Sequence, residues 1–183
     1  MKNLFLFMAI TLVGLGGCSE KRSQPLAIDN SLTQEEIAAG VLSPEVMWKM
    51  GRVGLASLSP DASRLLYTVT WYNMQENRGV TAIYVRDAAS GEVAQLTDFS
   101  SNNSDPKWNA DGSKIYFLSD LSGSSQIWEM AADGQNPRQL SKLDKDIEGF
   151  GVNPAGDKVF YVPVSIHISE PTRHLRISYA VFC

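Results

Sequence analysis

Histidine, cysteine and positive charge are all scarce in this chain. Its 183 residues hold 2 His, 2 Cys and 16 Lys+Arg against 20 Asp+Glu, for a net charge of −4. No Lys/Arg run stands out. A phosphate-backbone binder needs a clustered basic face, so nucleic acid is not expected as a partner. Cys18 and Cys183 lie far apart, which argues against a framework of closely spaced disulfides. Neither has another Cys or a His at metal-ligand spacing, so no metal site and no cofactor is implied. The longest apolar run, Leu4 to Leu15, is about 12 residues long, too short to span a bilayer comfortably. What remains is a composition of 44% hydrophobic and 20% charged residues, that of a globular protein of one ordinary domain.

The apolar run has a different use. Lys2 precedes it, and Leu15-Gly16-Gly17-Cys18 follows it. A positive start, a short apolar core and small residues before a cysteine mark an export signal. The tetrapeptide resembles a bacterial lipobox, in which the Cys is acylated and becomes the new N-terminus. Residues 1–17 are thus expected to be a lipoprotein signal peptide and Cys18 the lipidated residue. Two or more acyl chains anchor a protein stably. The expected location is the bacterial envelope, on the outer membrane or in the periplasm. Residues 18–32, polar with one Pro, read as a tether.

Residues 33–50 read as a helical lead-in. Thr33 with Glu36 fits a capping box, and Gly40 would end that short helix. Ser43-Pro44-Glu45 has the order of a second start. Val46, Met47 and Met50 share one side of it, with Trp48 off the stripe.

Then nine letters recur: "SPDASRLLY" at 59–67, "NADGSKIYF" at 109–117 and "NPAGDKVFY" at 153–161. The spacing is roughly 44 to 50 residues, the period of propeller blades among repeat architectures. The middle copy spells four strands. "DPKWN" (105–109) precedes the "ADGS" turn, and "KIYFLS" (114–119) follows it. "QIWEMA" (126–131) and "PRQLS" (137–141) complete the set. The near-continuous apolar character of "KIYFLS" suits a strand buried on both faces. The first copy repeats the plan with "SRLLYTV" (63–69), "AIYVRD" (82–87) and "VAQLT" (93–97). Ala62 replaces the turn glycine there, which predicts a different turn geometry. The stretch "TWYNMQENRG" (70–79) reads as an insert. The third copy supplies two strands within 149–162 and then stops. The expected fold is all-β. An incomplete β-propeller over 51–162, about two blades and the start of a third, follows the short helical lead-in. Residues 163–183 are expected to be an aberrant or frameshifted tail.

"WNADGSKIYFLSD" with "IWEMAADGQNPRQLS" resembles the TolB-like propeller repeat. "LSPEVMWKMGRVGLASLSPDASRLLYTVTWYNMQENRG" (42–79) resembles the N-terminal lead-in of prolyl oligopeptidase family serine peptidases, the dipeptidyl- and acylaminoacyl-peptidase-like members. That resemblance implies a propeller that gates short peptides in front of an α/β-hydrolase domain. It also implies a Ser nucleophile on a Gly-x-Ser-x-Gly elbow, an Asp and a His.

The 183 residues contain no Gly-x-Ser-x-Gly, and "SGSS" (122–125) reads as a turn. No catalytic residue is therefore carried over, and His167 and His174 have no nucleophile to serve. The chain by itself is expected to be inactive. Trp71 and Tyr72 are candidates for peptide contact. Asp61 and Asp111 read as turn chemistry rather than metal ligands. Two functions stay open: the propeller fragment of an exported serine peptidase, or a small peptide- or protein-binding lipoprotein that closes its ring by self-assembly.

Overall fold

The computed structural model describes residues 25–153, 158–164 and 178–181. The expected signal peptide, Cys18, the tether as far as residue 24, Gly156, both histidines and Cys183 lie outside the described residues.

Two short helices come first. In α1 (Gln34–Ala39) Thr33 is the N-cap and its hydroxyl accepts from the Glu36 N–H. Glu36 reciprocates to the Thr33 N–H at 2.7 Å, and Gly40 closes the helix in the left-handed region. In α2 (Pro44–Lys49) Ser43 is the N-cap and Pro44 takes the first turn. The packing face of α2 differs from the apolar stripe in the sequence. Val46 is buried, but Met47 and Met50 are about half exposed, and Trp48 packs on a strand instead.

Three antiparallel sheets follow. The first runs β1 (Arg52–Leu58), β2 (Arg64–Asn73), β3 (Arg78–Asp87) and β4 (Val93–Gln95) in spatial order. The second has β5 (Asn103–Trp108), β6 (Lys114–Ser119), β7 (Gln126–Ala131) and β8 (Arg138–Gln139) in the same order. The third places β10 (Lys158–Pro163) between β9 (Ile147–Val152) and β11 (Ser178–Val181). β6 and β7 have the bounds expected from the sequence. Strand β11 lies within the expected tail. Its Ser178–Val181 pairs with Tyr161–Lys158, the place a third strand holds in the other two sheets.

The period-2 alternation of β6 makes the middle sheet a shared wall. Ile115 and Phe117 join Leu66, Ile83 and Met130 in one core. Tyr116 and Leu118 join Ile127, Ile147, Phe150 and Val159 in another. Each fully buried Ile or Leu contributes on the order of 1.5–3 kcal/mol. Stacking on similar sheets is what makes such a strand soluble, so the repeat is a packing requirement.

Hydroxyl clasps tie the outer strands down. The Ile83 N–H donates to Thr97 Oγ1 at 2.9 Å, and the Ile127 N–H donates to Ser141 Oγ at 2.8 Å. Sheet-to-sheet links also recur. The Thr81 N–H donates to Asn102 Oδ1, and the Ser125 N–H donates to Asp146 Oδ1.

One expectation is corrected here. Ala62 does not alter its turn: its φ of 57° matches the 74° of Gly112. The N–H of Ala62 donates to Ser59 O, as that of Gly112 does to Asn109 O. Three hydrogen bonds to the Asp61 side chain, from the Ser59 and Ser63 hydroxyls and the Ser63 N–H, tie this turn, as Asn109 and the Ser113 N–H tie Asp111 in the glycine-bearing copy. The stretch 70–79 is extra length in the first copy, and it is built as strand: Thr70–Asn73 pair in unbroken register with Arg78–Thr81 as the far end of the β2–β3 hairpin, whose strands are 10 residues long against 6 in β6 and β7. The latter half of the expected tether is docked too. Leu26 is buried, and its N–H donates to Phe99 O at 3.0 Å.

Candidate functional site

Trp71 and Tyr72 are neighbours on β2, so they point to opposite faces of the first sheet. The Trp71 ring lies against Gly51, where an added Cβ would come within 2.8 Å of it. Its Nε1–H donates to the Tyr84 hydroxyl at 3.2 Å. Burial pushes the Tyr84 phenol up, and the Trp71 hydrogen bond opposes this. Tyr84 in turn stacks on Tyr67 at 5.8 Å. Trp71 is thus committed to internal contacts.

Tyr72 is placed differently. It crosses Gly79 on β3, where any Cβ would meet its ring at 2.9 Å. Glycine at 79 therefore lets the ring lie flat across the hairpin. The far side of that ring meets Trp48 of α2 edge-on, with centroids 5.1 Å apart. Both rings line a cavity of about 630 Å³ between the hairpin tip, α2 and residues 27–29. Ile28, Pro44 and Met74 add apolar wall; Asp29, Glu45 and Lys49 add charge.

These charges have local partners. Lys49 Nζ bonds Glu36 at 2.9 Å and the Ser31 carbonyl at 3.0 Å. Asp29 accepts from the hydroxyl and N–H of Ser31, which lowers its carboxyl below the ordinary range. Glu45 is lowered by its own backbone N–H and then by the Ser43 hydroxyl. Asn73 fixes the hairpin tip to the N-terminal segment by donating to Ala27 O at 2.7 Å.

Asp61 and Asp111 are far from this cavity in role. Each accepts hydrogen bonds inside its own hairpin turn. Among the described residues no group of three or more His, Cys, Asp or Glu could hold a metal ion. The histidines, the remaining sequence candidates for chemistry, lie outside the described residues. The structure brings Tyr72 to the cavity and leaves Trp71 elsewhere. It adds Trp48 and Arg52, which periodicity could not pair with a hairpin tip so distant in sequence.

The family comparison agrees with the sheet repeat. The model of the PD40 family, TolB beta propeller domain, matches residues 33–171. Dipeptidyl-peptidase 5 of Porphyromonas endodontalis is 30% identical over 134 residues, covering 73% of this chain and 19% of its own length. Dipeptidyl-peptidase 5 of Porphyromonas gingivalis is 32% identical over 160 residues, covering 87% of this chain and 22% of its own. The chain therefore spans about a fifth of the curated relatives it matches. The acylaminoacyl peptidase of Pyrococcus horikoshii shares the fold, with a TM-score of 0.56 and 17% identity over 69% of this chain and 19% of that one. Stacked four-stranded antiparallel sheets, a turn repeated in each, and the family match over most of the length agree: the chain belongs to the TolB β-propeller family, and its relatives include peptidases that carry such a domain.

Proposed function

We propose that this chain is the propeller portion of an exported, lipid-anchored serine peptidase-type protein, and that it receives short peptides ahead of hydrolysis. The observation that carries this is the Tyr72 cavity, walled by aromatic and apolar side chains at one end of the first blade. A volume of about 630 Å³ falls within the range of small-molecule sites, roughly 300–1,000 Å³. The names of the two Porphyromonas relatives support the peptidase class. The signal-like segment before Cys18 supports the envelope and the lipid anchor. Hydrolysis itself needs a nucleophile elbow, which these 183 residues do not spell.

The test is binding and turnover by the same chain. The tripeptide amide Ala-Ala-Phe-NH₂, which lacks a C-terminal carboxylate, should bind, and Tyr72→Ala should weaken it several-fold. A chromogenic prolyl or alanyl peptide should not be cleaved. Cleavage blocked by a serine-directed phosphonate would overturn the assignment of this chain as non-catalytic. A second reading, ring closure between copies, rests on Phe160 of the third sheet, which is 45% exposed. A monomer by light scattering under native conditions rules that reading out.

A further inference from the structure

The aromatic pair that walls the cavity also holds a cation. The Arg52 guanidinium lies 4.6 Å from the Trp48 ring centroid and 4.7 Å from that of Tyr72. Arg52 opens β1 and is paired with Thr70, so it projects from the same face of the sheet as Tyr72. The two rings, themselves edge to face at 5.1 Å, form an aromatic corner against which the guanidinium rests. A cation held on ring faces keeps N–H donors free for other partners.

The donors have nothing else to do. Among the described residues the Arg52 side chain makes no hydrogen bond and no ion pair, while the nearby Lys49 is fully engaged with Glu36 and Ser31. The two carboxylates in the cavity wall, Asp29 and Glu45, are turned to their own serines and backbone. Arg52 is exposed. A surface arginine with no task would sweep through solvent. This one rests on two rings, with its N–H donors unpartnered among the described residues.

We infer that Arg52, resting against Trp48 and Tyr72, is a receptor for a carboxylate whose apolar body enters the adjoining cavity. A planar fork matches a carboxylate with two parallel N–H···O bonds, and such charge-assisted pairs are the strong ones. The flanking Ile28, Pro44 and Met74 walls suit an aliphatic or aromatic group next to the acid. Under the peptide reading proposed above, on which this part rests, the acid is the C-terminal carboxylate of a short peptide. The chemistry is shared by free aryl carboxylates, and the experiment separates the two sources.

The whole chain is titrated with four probes: 3-phenylpropionate, its uncharged amide, Ala-Ala-Phe and Ala-Ala-Phe-NH₂. Each acid is expected to bind about tenfold or more tightly than its own amide, and the difference should shrink as salt is raised. Arg52→Gln should abolish the difference. Arg52→Lys should keep only part of it, because an ammonium lacks the fork. The acid–amide comparison needs no variant, so a variant that fails to fold does not spoil the test. Equal binding of acid and amide in both pairs overturns the proposal and leaves the peptide reading standing. Binding of phenylpropionate but of neither peptide keeps the carboxylate site and removes the peptide as its source. Binding of no probe overturns both.

Discussion

The strongest test of the repeat's logic is an exchange between two equivalent turns. Gly112 sits at φ 74° and Ala62 at φ 57°, in turns with the same backbone hydrogen bonds. A side chain in this region costs roughly 1–2 kcal/mol. At Gly112 an added Cβ would also come within 3.3 Å of the Pro60 ring, which belongs to the equivalent turn of the neighbouring sheet. Gly112→Ala should therefore destabilise by about 1–2 kcal/mol. Ala62 already bears the conformational cost. Ala62→Gly should recover part of it, about 0.5–1 kcal/mol, because glycine also loosens the unfolded chain. Urea unfolding followed by tryptophan fluorescence measures both, with m unchanged. In a chain of this size each kcal/mol moves Tm by roughly 2–4 °C. If Gly112→Ala unfolds at the wild-type midpoint, or Ala62→Gly lowers it, the turns are not equivalent and the argument fails.

Three further outcomes are expected. Gln126, 1% exposed, donates to Ser124, Leu143 and Lys145 and accepts from Ser141 and the Leu143 N–H. Gln126→Ala strands the buried Ser141 hydroxyl and removes the ties to the 143–145 segment, and should cost about 2–4 kcal/mol in the same urea assay. Ile115→Ala opens a hole between the first and second sheets, where Ile115 is fully buried, and should cost about 2–5 kcal/mol. The Asp61 carboxyl is lowered to about 2 by the hydroxyls of Ser59 and Ser63 and by the Ser63 N–H. Its folded value lies below its unfolded value, so its contribution is complete above the ordinary carboxyl range. It is lost as pH falls toward 2. Asp61→Asn should remove that part of the acid limb from a plot of unfolding midpoint against pH. An unchanged limb would mean that the carboxylate does not hold the turn.

Much of the fold was legible because its signals are local. The capping box at Thr33 and Glu36, the Ser43-Pro44 start and the limits of β6 and β7 all follow from neighbouring residues. The misreadings came where local rules compete. Ala62 looked like a changed turn because composition shows the missing glycine but not the Asp hydrogen bonds that tie both turns into one geometry. Residues 70–79 read as an insert because their length breaks the period, and only register shows that the extra length extends the β2–β3 hairpin. Met47 and Met50 looked buried because helix periodicity names a face without saying what covers it.

The site divides along the same line. Tyr72 could be named as a candidate from an aromatic pair beside the repeat, but nothing local distinguished it from Trp71. Alternation along β2 sends one ring inward to Tyr84 and the other outward over Gly79 to Trp48. Arg52 had no signal of its own, since its partners come from α2 and from the tip of the β2–β3 hairpin. By itself, then, the sequence determined the blades, their turns and the need to stack, because those depend on residues close along the chain. Which aromatic faces the cavity, and which cation waits beside it unpaired, was decided only by tertiary structure, where packing joins residues that no period relates.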